Sequence, residues 1–300
     1  MLSILIPVYN FPCFDLVQEL EVQASAANIS FEIICIDDAS SLHKKENRAI
    51  GDLPHTSYTE LTENIGRSRI RNLLVSKAKY EMLLFLDCDS KIAKSDYIRK
   101  YLEEMRQCDV LSGGTLYDSH PPADPAYRLH WKVGIERESK PDDTQQKTFT
   151  SNNFVIKKSV IEKHPFNEKI VRYGHEDSLF QMELEKQGIT VRFISNPVIH
   201  SGLETNVCFI EKTQESVMNL YDLYVSDSFD ELNTRKIRLL QTYIQVKKWK
   251  IDWVFSLFFP AVNFLNNRTN ASGKPHLLIL DLYKLSLFTR VARIKSRKKE

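Results

Sequence analysis

The apolar residues of this chain fall into short unbroken runs separated by helical stripes. Residues 2–6 (LSILI), 32–36 (EIICI) and 82–86 (MLLFL) are each stopped by a proline or an aspartate, the pattern of strands buried on both faces of a sheet. Between the first two, Phe14, Leu16, Val17, Leu20 and Val22 recur at helical spacing, with Glu19 and Glu21 on other faces. After a break at Asn64-Ile65-Gly66, Ile70, Leu73, Leu74 and Ala78 repeat that stripe before the third run. Strand-helix units in series predict a mostly parallel α/β sheet with helices on both faces. Residues 96–107 read as a further helix, with Tyr97, Ile98, Tyr101, Leu102 and Met105 inward. Residues 117–147, rich in Pro, Asp and charge, read as a long excursion outside the core. Strand patterning returns at 149–157 and 190–195, around an amphipathic helix at 178–187.

From Cys208 onward the spacing is helical throughout. An aromatic stretch holding Trp249, Trp253, Phe255, Phe258 and Phe259 is expected to break at Asp252 and Pro260, and it falls short of the roughly 20 residues a spanning helix needs. Residues 277–288 are apolar, and Arg290, Arg293, Lys295, Arg297, Lys298 and Lys299 follow. The pattern divides the chain into an α/β domain over 1–205, with halves 1–110 and 111–205, and a helical, basic C-terminal extension over 206–300.

Composition changes this picture in two places. The net charge of +2 conceals an asymmetry, for residues 235–300 hold 15 Lys or Arg against 3 Asp or Glu, leaving the first 234 residues at 26 against 36. A basic, aromatic end on an acidic front is suited to an anionic membrane surface, and the same helices also read as a plain helical cap on the core with a basic end; no nucleic-acid module is recognisable, so nucleic acid is not an expected partner. The five cysteines are odd in number, widely spaced and free of any Cys-x-x-Cys pair, which predicts reduced thiols and no structural zinc. With no basic leader at the N-terminus, a cytoplasmic protein is expected, and the Asn-x-Ser/Thr triplets at Asn28, Asn267 and Asn270 are chance matches.

Candidate chemistry gathers where the strands end. In open α/β sheets ligands bind beyond the carboxyl ends of the strands. There the chain places Pro7-Val8-Tyr9-Asn10, Asp37-Asp38, and Asp87-Cys88-Asp89-Ser90. Two hard oxygen donors at Asp87 and Asp89 are suited to Mg2+ or Mn2+ rather than zinc, although the same residues also make an ordinary turn. Asp38 can accept from the imide of a uracil, Asp87 can hold ribose hydroxyls, and Asp89 a diphosphate-bound metal. Alternation along the strand turns Cys88 away from that metal. Arg67 and Arg71 share one face at the start of a helix, in reach of a diphosphate, and their charge opposes the helix dipole. Glu176-Asp177 precedes a helix, where acids are favoured for structural reasons alone.

PVYN, the Asp-Asp pair, Asn64-x-Gly followed by Arg71-Asn72, FLDCD, and Gly174-His175-Glu176-Asp177 occur over roughly residues 1–205, and as an ordered set they resemble the motifs of family 2 glycosyltransferases. The resemblance implies a GT-A type, Rossmann-like fold that transfers a sugar, with inversion, from a nucleotide-sugar in the presence of Mg2+ or Mn2+. It implies a nucleotide site at Pro7, Val8, Tyr9, Asp38, Asn64 and Arg71, with Asp87 on the ribose and Asp89 on the metal. Asp177 takes the place of the general base, and burial or the neighbouring Glu176 must raise its pKa against the helix dipole. His200 falls where some members carry a further metal or phosphate ligand, Ser151-Asn152-Asn153 where relatives form the floor of the sugar site, and Trp131 is placed to stack on an acceptor sugar. The expected donor is a UDP-sugar and the acceptor a glycan or lipid-linked saccharide, on the inner face of the membrane. Two other readings stand beside this one. A sugar nucleotidyltransferase would want a glycine-rich basic loop where this chain has PVYNFPCF, and a non-catalytic nucleotide-sugar-binding protein should have lost an acidic member that is present here.

Overall fold

The computed structural model describes residues 1–139, 149–170, 172–226, 234 and 236–297. Residues 140–147 of the sequence-defined excursion, and Lys298 and Lys299, lie outside them. The elements begin with β1 (Leu2–Val8), α1 (Phe14–Ala26), β2 (Phe31–Asp37), α2 (Lys44–Arg48), β3 (Thr56–Glu60), α3 (Arg67–Lys77), β4 (Met82–Leu86), β5 (Ser90–Ile92), α4 (Tyr97–Glu104), β6 (Val110–Ser112) and β7 (Thr115–Leu116). They continue with α5 (Arg128–Val133), β8 (Asn153–Lys157), α6 (Lys158–Ile161), α7 (Glu176–Lys186), β9 (Val191–Phe193), β10 (Val198–His200), α8 (Asn206–Val225), α9 (Arg238–Lys248), α10 (Asp252–Ala271) and α11 (Leu277–Arg297). The chain forms two compact units, one of Met1–Asp118, Arg137–Val171 and Glu176–Gly202, the other of Ser119–Glu136, Arg172–His175 and Leu203–Glu300.

In the first unit a seven-stranded sheet runs in the order β3-β2-β1-β4-β8-β6-β9. It is parallel except at β8, which opposes both its neighbours. The pleat sends alternate residues of β1 to opposite faces. Leu2, Ile4, Ile6 and Val8 pack with Leu16, Val17 and Leu20 of α1 and Tyr97, Ile98 and Tyr101 of α4. On the other face Leu5 belongs to a second cluster with Ile70, Leu74 and Val75 of α3 and Phe180 and Leu184 of α7. Each such fully buried aliphatic side chain contributes about 1.5–3 kcal/mol. Val22, expected in the α1 stripe, is instead 55% exposed. β1 also runs through Pro7 to Val8, because its ladder with β4 has already ended at Leu5↔Phe85 and no amide is required of Pro7 on that side. The strand β3, polar and at the sheet edge, has no apolar run to announce it.

A second, three-stranded sheet, β5-β10-β7, is built from strands of two or three residues, too short for periodicity to reveal. All five cysteines are free thiols, with Cys13, Cys35 and Cys88 buried in one core cluster.

The second unit is helical. Part of the expected excursion is core here: Leu129 and Val133 of α5 pack with Ile210, Leu277, Leu280 and Tyr283. Pro125 of this stretch opens a 3-10 turn capped by Asp124, whose carboxylate accepts from the Ala126 amide at 2.8 Å. α10 is continuous through Pro260, contrary to the expected break. Phe259 and Val262 pack on the Leu280–Tyr283 cluster on either side of that proline, and this packing offsets the roughly 3 kcal/mol that a proline costs inside a helix. Among the described residues no helix is long and apolar enough to cross a membrane.

Candidate active site

Parallel pairing brings the ends of β1, β2 and β4 to the same edge of the sheet. Val8 stands opposite Asp37, and the Asp38 amide donates to the Val8 carbonyl at 2.8 Å. Beyond β1, Asn10 adopts φ 50° and its side-chain oxygen accepts from the Ser41 and Leu42 amides at 2.7 and 3.0 Å, fastening the two strand-end loops together. Asp37 is fully buried and structural, accepting from the Ser40 amide at 2.7 Å and the Tyr58 hydroxyl at 2.8 Å. The carboxylate of Asp38 accepts from the backbone amides of Ile65 at 2.7 Å and Gly66 at 3.0 Å, while its carbonyl accepts from Asn64 Nδ2 at 3.1 Å. Asp38 thus clamps the loop that leads into α3. Burial, and then the neighbouring Asp37 charge, push its pKa up against the pull of those two amides. Tyr9 projects beyond β1 with 54% of its surface exposed.

α3 opens at Gly66, whose φ of 84° a side chain would resist. Its two arginines behave differently. Arg71 is 1% exposed and donates through Nη2 to Asp87 Oδ1 at 2.7 Å, with its guanidinium over the Phe166 ring. Arg67, one turn earlier and 43% exposed, donates to Asp87 Oδ2 at 3.2 Å and lies 3.3 Å from Glu176 Oε1. It is therefore the solvent-facing cation of the pair and a bridge between the end of β4 and the start of α7.

The small sheet decides the place of His200. β10 pairs antiparallel with β5 so that His200 faces Ser90, and Ser201 closes the pairing by donating its amide to the Asp89 carbonyl at 2.9 Å. His200 Nδ1 then stands 3.5 Å from Asp89 Oδ1, a buried oxygen that makes no hydrogen bond. The Tyr117 ring lies 5.1 Å from the imidazole. Burial works against charging both groups, yet the Asp89 carboxylate, with Glu138 and Asp87 behind it, holds the His200 pKa above its ordinary value, while His200 and Arg67 hold Asp89 below its own. The chain passes so close over Asp89 at Gly202 that an added Cβ would strike the carboxylate.

Asp177 lies in the first turn of α7. Its Oδ2 accepts from the Ser151 amide at 3.1 Å, and its Oδ1 is buried without a hydrogen bond. Burial, and then the adjacent Glu176 carboxylate, raise its pKa, while the charges of Arg71 and Arg67 pull it down. Burial prevails over the helix dipole here, the reverse of the exposed case. Arg67 acts electrostatically on both Asp89 and Asp177, and so joins the two acidic motifs.

Of the remaining expected residues, Asn152 accepts at its carbonyl from the Asp87 amide at 3.1 Å. Asn153 is fully buried, its oxygen accepting from the hydroxyls of Tyr97 and Tyr101 at 2.6 Å each and its amide donating to the carbonyls of Gly114 and Asn196, so it holds strands together. Asn152 donates to Thr115 at 2.7 Å. Trp131 belongs to α5, in the second unit. Ser151, expected at the sugar floor, also pins Asp177 through its amide, while two contributors have no recognisable sequence signal: Gly202 and Tyr117. Among the described residues no three His, Cys, Asp or Glu side chains cluster as a complete metal cage. Asp89 and His200 supply two convergent donors, which fits a cation whose remaining ligands are diphosphate oxygens and water.

Comparison with known proteins agrees with this architecture. The mannosyltransferase PcManGT from Pyrobaculum calidifontis, solved with GDP-Man and Mn2+, is 14% identical, with a TM-score of 0.57 over 100% of this chain and 87% of that one. TarS 1-349 from S. aureus is a looser match, 15% identical with a TM-score of 0.47 over 99% of this chain and 91% of that one. No curated protein matches the sequence. The profile described as Glycosyl transferase family 2 matches residues 3–164 of the 300. With that profile covering more than half of its length, and a mostly parallel sheet whose strand ends carry the acidic motifs, the chain belongs to glycosyl transferase family 2.

Proposed function

We propose that this glycosyltransferase moves a sugar from a nucleoside diphosphate sugar to a hydroxyl of a glycan or lipid-linked acceptor in one inverting displacement. The observation that carries the proposal is the buried, unbonded Oδ1 of Asp177, whose pKa is raised and whose other oxygen is pinned by the Ser151 amide. Such an oxygen is held ready for a proton. In the reaction the acceptor oxygen bonds to the anomeric carbon as the bond to the diphosphate breaks. The proton passes to Asp177 Oδ1, and the electron pair leaves with the diphosphate.

Arg67 offers its exposed guanidinium to the diphosphate, Asp87 accepts from the ribose hydroxyls, and the buried Arg71 holds Asp87 in place through its ion pair. Pro7, Val8, Tyr9, Asp38 and Asn64 form the base side of the nucleotide site. Each Asp38 oxygen already accepts one backbone amide and keeps a second lone pair for an N–H of the base. Asp89 and His200 would hold a divalent cation, whose charge stabilises the departing diphosphate when bound. The imidazole favours Mn2+ over Mg2+, and the presence of Mn2+ together with GDP-Man in the PcManGT complex supports a metal-assisted nucleotide-sugar reaction. A UDP-sugar is the proposed donor, since Asp38 matches the imide of uracil. We place the protein in the cytoplasm, on the inner face of the membrane.

A thermal-shift panel of UDP- and GDP-sugars, each with and without Mn2+, tests the proposal. The donor at one hundred times its Kd should stabilise the fold by about 2.7 kcal/mol. A GDP-sugar as the best stabiliser would replace the uracil assignment, and stabilisation by a nucleoside triphosphate alone would favour a nucleotidyltransferase.

A further inference from the structure

Helix α10 is apolar on two sides: Phe259 and Val262 pack on the core of the second unit, and a second apolar face is left outside. The residues it buries include Asn266 and Asn270, whereas Trp253 (50%), Leu257 (64%), Phe258 (56%), Phe264 (63%) and Leu265 (48%) face solvent. A surface helix ordinarily turns polar residues to solvent. At 100° per residue Trp253, Leu257 and Phe264 fall within about 40° of one another, and Phe258 and Leu265 extend the same face. Pro260 and Ala261, both exposed, lie on it too. On α11, Leu278 and Leu282, one turn apart, are 78% and 45% exposed.

The charges flanking the α10 stripe are mostly positive, although Asp281 lies between Leu278 and Leu282 on α11. Residues 253–280 contain no Asp or Glu. Exposed Lys247, Lys248 and Lys250 precede the stripe together with the indole of Trp249, and exposed Arg268 and Lys274 follow it. The acid at the start of the helix, Asp252, is answered by Arg293 at 3.3 Å. From Trp253 to Leu265 the apolar run covers about 20 Å at 1.5 Å per residue, too short to span a bilayer and long enough to lie in its interface.

We propose that α10 is a monolayer-inserting helix that docks the protein on an anionic membrane, its apolar face in the acyl boundary and its flanking cations among the headgroups. Charge decides between occupants, because a second copy would set cations against cations at the ends of the stripe, whereas acidic lipid headgroups match them. The proposal deepens the membrane-side reading above and is independent of the transfer chemistry.

Flotation of the full-length protein with phosphatidylcholine vesicles, with and without about 30% phosphatidylglycerol, tests it. The protein should float with the anionic vesicles. The double variant Leu257→Glu/Phe264→Glu should reduce the bound fraction about tenfold or more, and Lys247→Glu/Lys248→Glu/Lys250→Glu should do so chiefly at low salt. Both variants change exposed residues and should keep the melting temperature and the turnover of soluble donor. Failure of the wild type to float, equal flotation of the Leu257→Glu/Phe264→Glu variant, or a wild-type dimer that this variant dissociates would each overturn the proposal. Intact flotation without donor turnover would overturn the catalytic reading and leave this one standing.

Discussion

Asp177 is held where a carboxylate is least comfortable, buried beside Glu176 with one oxygen unbonded. Because its folded-state pKa is raised, the folded form binds a proton more tightly than the unfolded chain. The penalty is absent below the unfolded pKa and complete above the folded one, so at neutral pH this residue weakens the fold. Asp177→Asn should accordingly melt higher than wild type while transfer falls by about 10^2 to 10^4, with donor binding retained. An Asn variant that still transfers at the wild-type rate would remove Asp177 from the role of base.

The acid limb of the rate should lie above the ordinary carboxylate range. Glu176→Gln, by removing a charge that raises the Asp177 pKa, should move that limb to lower pH, and Arg67→Ala should move it higher. A pH–rate profile that neither variant displaces would dissociate the limb from Asp177. The two arginines should also separate. Arg67→Ala should raise the donor KM about tenfold with the fold intact, whereas Arg71→Ala leaves Asp87 with Arg67 alone, beside a buried void, and should cost about 3–5 kcal/mol in denaturant unfolding.

At the scale of elements, the long apolar strand β4 and the three-residue strand β10 carry the two halves of the proposed metal site. β4 delivers Asp87 and Asp89 from the middle of the large sheet, and β10 delivers His200 by pairing with β5. Gly202, just past β10, presses its backbone against Asp89. Gly202→Ala should displace that carboxylate and weaken Mn2+-dependent activity at least about tenfold, with Mn2+ affinity falling in parallel in a titration. At the other end of the same architecture, Asn153 ties β8 to α4 and to the loops after β6 and β9. Asn153→Ala would leave two hydroxyls and two carbonyls short of a partner and should destabilise by about 3 kcal/mol or more, read as a fall in the urea midpoint.

For the whole molecule, composition and structure point to the same division of labour by charge. The acidic first 234 residues contain the strand ends and their carboxylates, and the basic remainder contains the exposed apolar face of α10. Net charge near zero hides this because the two excesses nearly cancel. β1, β2 and β4 were legible because each is buried on both faces and must be apolar throughout, a constraint strong enough to read from five residues, whereas β6, three residues inside the same sheet, and the polar edge strand β3 offered no such run. The small sheet was not, since two or three residues cannot express a period. The order of the acidic motifs was equally legible, for strand ends in an α/β sheet fall at one edge whatever loops intervene.

The sequence by itself determined the fold class, the edge of the sheet where Asp38, Asp87 and Asp89 would meet, and the basic, aromatic character of the C-terminal helices. Burial left a compositional trace in each case. Only the tertiary structure decided which arginine is buried and which faces solvent, since Arg67 and Arg71 sit on one helical face and differ only in what packs over them. It also decided that His200 stands beside Asp89, that burial outweighs the helix dipole at Asp177, and that α10 turns a second apolar side outward through an unbroken proline. Those outcomes depend on contacts between residues far apart in the chain, which no local pattern records.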